Sequence, residues 1–243
     1  EFYSPIFTWV IPVDTIRGVE ASSLVDTVVY RPSRVSTVRH YASRLSAENR
    51  RFALDVARGI KKPEDILTSS MSAREKIIVC DLVSEYVRYR YSKGEMERAG
   101  YAGLFISTLR ARSALGAGEG TSPAVREPSR PEKGHLSARA SLGAGVREDG
   151  AYQEVKVRPA YHTLLDADEG YVEGAQIVFL DFVARFYDRE RKARVERVDC
   201  IDIVSLSPRD EFFSSTSWKV NTGLRRRLFS DDAERMVFHA SPG

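Results

Sequence analysis

The chain has 243 residues and 42% hydrophobic content, enough for one large or two small globular domains with a real core. Its net charge of +3 is uneven: residues 1–116 hold 18 Lys/Arg against 13 Asp/Glu, and residues 134–243 hold 16 against 18. That asymmetry is too mild for a nucleic-acid-binding domain, so no nucleic-acid partner is expected. Cys80 and Cys200 lie far apart without CxxC spacing, which argues against a thiolate zinc site. No apolar run reaches the length of a membrane-spanning helix. The chain opens at "EFYSPIFTWVIP" with neither initiator Met nor signal peptide and reads as a fragment.

Residues 1–116 read as a helical domain. In "PVDTIRGVEASSLV", Asp14 is a candidate N-cap before Ile16, Val19 and Leu24. "TVVYRPS" is extended, because Pro32 disfavours helix in the residue before it. Ser46 opens a helix with Phe52, Val56 and Ile60 on one face and Gly59 near its end. Ser72 and Glu75 have capping-box spacing, and Val79, Leu82, Val83, Tyr86 and Val87 form a stripe to be buried. Cys80, in the same run, is expected to behave as a small buried hydrophobe. After Gly94 another helix is expected to about Leu115, with Ala99, Ala102, Ile106 and Leu109 inward, closing an antiparallel hairpin. Residues 117–133 form a linker rich in Gly, Pro, Ser and charge.

From Gly134 the period changes to two, so residues 134–243 read as an antiparallel β domain. Leu136, Ala138, Ala140, Leu142 and Ala144 alternate with His135, Ser137, Arg139 and Ser141. "REDG" turns into "AYQEVKVRP" as a hairpin. In "AQIVFLDFVARFYD" strict alternation puts Val178, Leu180, Phe182, Ala184 and Phe186 on one face. Asp181 and Arg185 then fall on the other, among Ile177, Phe179 and Val183. "RKARVERVDCIDIVSLS", "SWKVNTGLRRRLF" and "RMVFHA" read as further strands, about six in all. The fold class is α+β. Long meandering strands with one apolar and one polar face suit a soluble sheet with one wet face, or an outer-membrane-type barrel.

No enzymatic signature emerges, and no catalytic residue, cofactor or metal site is predicted. "GAGEG" (116–120) lacks the strand-then-helix context of a dinucleotide loop. The basic run with Arg31, Arg34, Arg39, Arg44, Arg50 and Arg51 reads as a solvated helix face, with anionic lipid as a further partner class. No GxSxG occurs, and the four His are scattered. The densest polar stretch is "RPAYHTLLDADEGYVEGAQI" (158–177), with Arg158, Tyr161, His162, Asp166, Asp168 and Glu169. Three acids can offer oxygens to Ca²⁺ but lack EF-hand spacing. His162 and Asp166 are an acid–base pair only if the fold joins them. The plainer reading is a strand-to-strand connection, broken at Pro159, turned by Asp and Gly and anchored by Tyr.

Several stretches in order, "WVIPVDTIR", "VVYRPS", "LSAENRRFALDVARG", "GHLSARASLGAG", "RPAYHTLLDADEGYVEGAQIVFLD", "DIVSLSPRDEFF" and "SWKVNTGL", resemble the bacterial domain-of-unknown-function 4105 family. The resemblance is to the region downstream of its catalytic domain, which is itself similar to the periplasmic domain of Lnb-type lipoprotein acyltransferases. It implies a Gram-negative envelope protein whose Asn-Cys-Ser-type motif precedes residue 1, so the upstream catalytic domain would be a partner within the same polypeptide. The helical half would be a periplasmic spacer. The strands would be an incomplete outer-membrane barrel in contact with lipid, with Arg139, Arg158, Asp181 and Arg185 toward a polar interior. The alternative is a soluble β-rich binding module behind a helical domain.

Overall fold

The computed structural model describes residues 12–22, 25–116, 123–148, 150–231 and 233–243, with the side chains of residues 12–14 also left out. Contacts divide the chain into two compact units. One is helical, residues 29–116 and 123–128 together with Asp210–Ser214; the other gathers the strands with residues 12–22 and 25–28.

The helical unit holds α2 (Arg34–Ala42), α3 (Ala47–Ala57), α4 (Asp65–Thr68), α5 (Ala73–Ser92) and α6 (Arg98–Ala114); α1 (Pro12–Ala21) belongs to the strand unit. Serine side chains start three of these helices by accepting an otherwise unpaired amide. Ser33 accepts from Ser36 N (3.0 Å), Ser46 from Asn49 N (3.2 Å) and Ser72 from Glu75 N (3.3 Å). Glu75 Oε2 in turn accepts from Ser72 N (3.0 Å), completing the capping box. Gly59 and Gly94, at φ 76° and 75°, follow α3 and α5 in the left-handed conformation that ends a helix at little cost only for glycine.

α5 is the central element, with α2, α3 and α6 packed on it. Val79, Cys80, Leu82, Val83 and Val87 are wholly buried and Tyr86 nearly so, and burial pushes the Cys80 thiol up to about 12. α6 lies antiparallel to α5, with Tyr91 stacked on Tyr101 at 4.3 Å at one end and Arg112 paired with Asp81 at 3.4 Å at the other. Its inward face differs from the expected one. Thr108 and Ala111 are buried and Tyr101 and Leu104 pack on the core, whereas Ile106 and Leu109 are exposed. Thr108 can be buried because its hydroxyl donates to the Leu104 carbonyl at 2.8 Å. Ile60 also turns out, since the helix has ended before it. At the other helix in question, Asp14 lies within α1 rather than ahead of it, and the described part of the "GAGEG" run is Gly116 alone.

Residues 210–214 complete the helical core. Asp210 Oδ1 accepts from the amides of Phe212 (2.9 Å) and Phe213 (2.8 Å), folding the segment into a tight turn. Phe212 and Phe213 meet Tyr86 edge-on at 5.2 and 5.9 Å, and Phe213 meets Tyr89 at 5.0 Å. The Tyr86 hydroxyl donates to the Phe212 carbonyl at 2.9 Å, and Arg39 and Arg50 pair with Asp210 and Glu211 at 2.8 and 2.9 Å.

Among the described residues, the strand unit is an antiparallel meander of seven strands in one sheet. These are β1 (Arg139–Arg147), β2 (Gly150–Arg158), β3 (Ala160–His162), β4 (Ala175–Tyr187), β5 (Lys192–Ser205), β6 (Trp218–Leu228) and β7 (Glu234–Pro242). The order is β1-β2-β4-β5-β6-β7, with β3 beside the first part of β4. β3 resumes the course of β2 after Pro159, which cannot donate to a ladder. β1 and β7 are the two edges and do not pair, so the sheet is open and not closed into a barrel. It nevertheless curls, since Arg147 at the end of β1 reaches Glu234 at the start of β7 at 3.2 Å.

Strict alternation fails in β4 and β5. Gln176, Val178 and Asp181 line one cavity, although their numbers have different parity, and so do Arg197, Asp199 and Asp202. Leu180, at φ 58°, and Cys200, at the β5–β6 register shift, each absorb one residue. Both side chains are exposed. Val178 therefore faces the cavity, and Ile177 and Phe179 join Phe182, Ala184 and Phe186 on the opposite face.

Phe213→Ala should lower the stability of the helical unit by about 3 kcal/mol. Tyr86→Phe, which removes the hydroxyl bond to the Phe212 carbonyl, should cost about 1 kcal/mol. Both would be read as urea midpoints of helical ellipticity. An unchanged midpoint for Phe213→Ala would remove residues 210–214 from the core.

Candidate functional site

Two polar features stand out in the strand unit, and they share Asp166. The first is a charged network on the inner face of the sheet and at its rim, where four carboxylates each take two cations. Asp166 takes Arg158 (2.7 Å) and Arg139 (3.3 Å); Glu154 takes Arg185 (2.7 Å) and Lys156 (3.0 Å). Asp199 takes Arg197 (3.0 Å) and Arg225 (3.3 Å); Glu234 takes Arg194 (2.8 Å) and Arg147 (3.2 Å). Asp181 bonds Arg197 as well. Cross-strand pairing explains this convergence: Glu154 faces Arg185, Arg197 faces Arg225, and Arg139 faces Arg158. The face encloses a cavity of about 450 Å³ bordered by Arg139, Arg158, Asp181, Arg197, Asp199 and Arg225, among others.

Close backbone approach is built into this face. A Cβ on Gly145 would lie 2.5 Å from the Tyr152 ring, and one on Gly223 2.3 Å from the Val198 carbonyl. The opposite face is apolar and uncovered: Leu142, Val146 and Phe238 are 85%, 81% and 65% exposed.

The second feature is the 158–177 stretch. Asp166 Oδ2 accepts from Arg158 Nη1 (2.7 Å), Thr163 N (2.8 Å) and Thr163 Oγ1 (2.9 Å). Burial works to raise this carboxyl, but the bonds from Arg158 and Thr163 outweigh it and hold it down at about 2. His162 is 2% exposed. Its Nδ1 lies 2.8 Å from His135 Nε2, and its Nε2 has no hydrogen-bond partner and lies 3.8 Å from Asp168 Oδ1. Tyr171 stacks on both imidazoles, at 4.2 Å from His162 and 4.4 Å from His135, and its hydroxyl donates to the His135 carbonyl at 3.0 Å. Burial first, then the neighbouring His135, pushes the His162 imidazole below the ordinary histidine range.

Tyr161 is half-buried and meets Tyr171 edge-on at 5.9 Å; Asp168 and Glu169 are exposed. The Gly134 backbone presses on this loop so closely that a Cβ there would lie 2.6 Å from the Glu169 carbonyl. Gly170, at φ 82°, lies against the Arg130 carbonyl in the same way, at 2.7 Å.

The six residues of the stretch are therefore not one site. Arg158 and Asp166 belong to the charged face, with Arg139; Tyr161 and His162 belong to the aromatic cluster, with Asp168 at its border. Asp181 and Arg185 lie on the inner face of β4. Sequence reasoning missed His135, 27 residues before its partner. It also missed Glu154, Asp199 and Glu234 as shared acids. Their partners depend on strand register, which no local pattern displays.

The fold defines a two-part α+β protein, a helical unit and an open, curled antiparallel sheet with a charged inner face. Residues 128–243 match the model of a domain of unknown function, DUF7840, and residues 28–124 match that of a second, DUF7842. These two models replace the resemblance to the 4105 family, which no matching model supports. No curated protein and no solved structure matches the chain.

The two depressed groups predict two steps in acid stability. His162 stays neutral in the fold, so stability should start to fall as the pH drops below the ordinary histidine range, where the unfolded chain takes up the proton. Asp166 contributes above the ordinary carboxylate range, and its contribution should be lost as the pH falls toward 2. Asp166→Asn should remove the second step and cost about 3 kcal/mol at neutral pH, because Arg158 is left buried without its partner. Unfolding free energies over a pH series test both; a variant profile parallel to that of the parent protein would refute the Asp166 assignment.

Proposed function

We propose that the strand unit is part of the wall of an outer-membrane β-barrel in a Gram-negative envelope protein, a non-catalytic structural element carried with a periplasmic helical spacer. The observation that carries this reading is the inversion of the sheet's two faces. A soluble sheet buries its apolar face and wets its polar one. Here the charges face inward and pair with one another, while Leu142, Val146, Ile177, Phe179, Phe186, Leu224 and Phe238 are exposed on the other side.

In lipid this arrangement lowers the free energy on both faces: hydrocarbon covers the aliphatic and aromatic side chains, and the charges stay away from it. Strands of nine to fourteen residues (β3 aside) and the meander order fit the same reading. The open edges β1 and β7 would have to pair with further strands, because unpaired backbone groups are costly in hydrocarbon. The soluble binding-module reading would instead need a protein surface to cover the whole apolar face.

Spin labels at Leu142, Phe186 and Phe238, with Ser141 and Asn221 as inward controls, test the proposal in the protein reconstituted in lipid vesicles. Outward labels should collide with dissolved oxygen and be shielded from an aqueous nickel chelate, and the inward ones should not follow that pattern. Outward labels fully open to the aqueous reagent would rule out the membrane wall.

A further inference from the structure

We propose that His135, His162 and Asp166 bind one divalent transition-metal ion of the zinc class. Each residue offers one ligand atom, and the three atoms lie within 4.8 Å of one another. Two imidazoles and a carboxylate form a mixed nitrogen and oxygen set that suits Zn²⁺ and its neighbours rather than Ca²⁺ or Mg²⁺.

The hydrogen bonds around the two rings point to the same conclusion. A histidine that binds metal through one nitrogen usually donates the other N–H to a carbonyl or carboxylate. His135 Nδ1 lies 2.8 Å from the Leu136 carbonyl, which fixes its proton there and leaves Nε2 with a lone pair. His162 Nδ1 faces that lone pair at 2.8 Å, so without metal the proton of His162 must sit on Nδ1. This tautomer strands Nε2, buried and without a hydrogen-bond partner, 3.8 Å from the Asp168 carboxylate. With an ion on the two facing nitrogens, the His162 proton moves to Nε2 and points toward Asp168. His135 then keeps its carbonyl acceptor, and the stranded atom gains one when the exposed Asp168 side chain closes the 3.8 Å gap.

The facing nitrogens need to separate by only about 0.5 Å to take adjacent corners of a zinc tetrahedron. Asp166 can supply the third ligand. Arg158 and Thr163 occupy its Oδ2, while Oδ1 has Arg139 at 3.3 Å, a side chain 60% exposed that can swing into solvent. Tyr171, stacked on both rings, holds their planes together. Three protein ligands leave a fourth position for water.

The test uses the purified full chain, stripped with a chelator and titrated with Zn²⁺ by calorimetry. One equivalent should bind, and X-ray absorption of the zinc-loaded protein should show two imidazole ligands. His135→Ala and His162→Ala should each abolish this uptake, Asp168→Asn should weaken it about 10-fold, and His40→Ala should leave it unchanged. Failure of the parent protein to take up one equivalent, or an absorption spectrum with fewer than two imidazoles, overturns the proposal. So does a folded His135→Ala variant that binds normally. If that variant does not fold, the spectrum of the parent protein decides alone.

Discussion

The charges on the inner face of the sheet depend on parity along the strand. Successive side chains in a β-strand point to opposite faces, so one absorbed residue exchanges the faces for all that follow. Leu180 in β4 and Cys200 in β5 are such residues, and they lie at the same level of the sheet, between Phe179↔Ile201 and Asp181↔Asp199. Because both strands shift together, their mutual register survives this step and changes only farther on, between Val183 and Ala184. Without the shifts, Asp181, Asp199 and Arg197 would lie on the face opposite Gln176, Val178 and Asp202 in a single strand pair. Charges would then stand among Ile177 and Phe179, and neither face would be uniform.

Once the charges share a face, their pairing follows from cost. An isolated charge held away from water is strongly unfavourable, and a pair is tolerated only when hydrogen bonds satisfy both partners. The sheet meets this condition by sharing. Asp166, Glu154, Asp199 and Glu234 each bridge two cations, and the bridge at Glu234 ties β1 to both β5 and β7. Arginine suits this role better than lysine, because its planar fork serves two acceptors at once. Arg197 does so between Asp181 and Asp199. The curl of the sheet and its charge network thus support each other, although the backbone ladder stays open.

The helical unit rests on ordinary apolar packing around α5, and its unusual element is the aromatic pair Phe212–Phe213. These residues follow β5 in the chain yet sit in the helical core. Asp210 makes this possible by bonding the two amides that the turn would otherwise leave unpaired. The chain therefore passes between the two units more than once, and neither unit is continuous in sequence.

The sequence by itself determined the elements. The change of period near Gly134, the capping box at Ser72 and Glu75, the buried stripe of α5 and the alternation of β1 are local properties, and local sterics and hydrogen bonding decide them. Tertiary structure decided which faces those elements present. α6 buries Thr108 and Ala111 rather than Ile106 and Leu109, because the helix turns to fit α5 and a threonine can satisfy its own hydroxyl. The phase of β4 depends on a positive φ at Leu180 that no residue type announces, since leucine is not a residue that favours it. The cluster of His135 with His162, Asp166 and Tyr171 joins residues on either side of the β1–β2 hairpin. Only the pairing of strands brings them together, so their chemistry belongs to the fold and not to any motif.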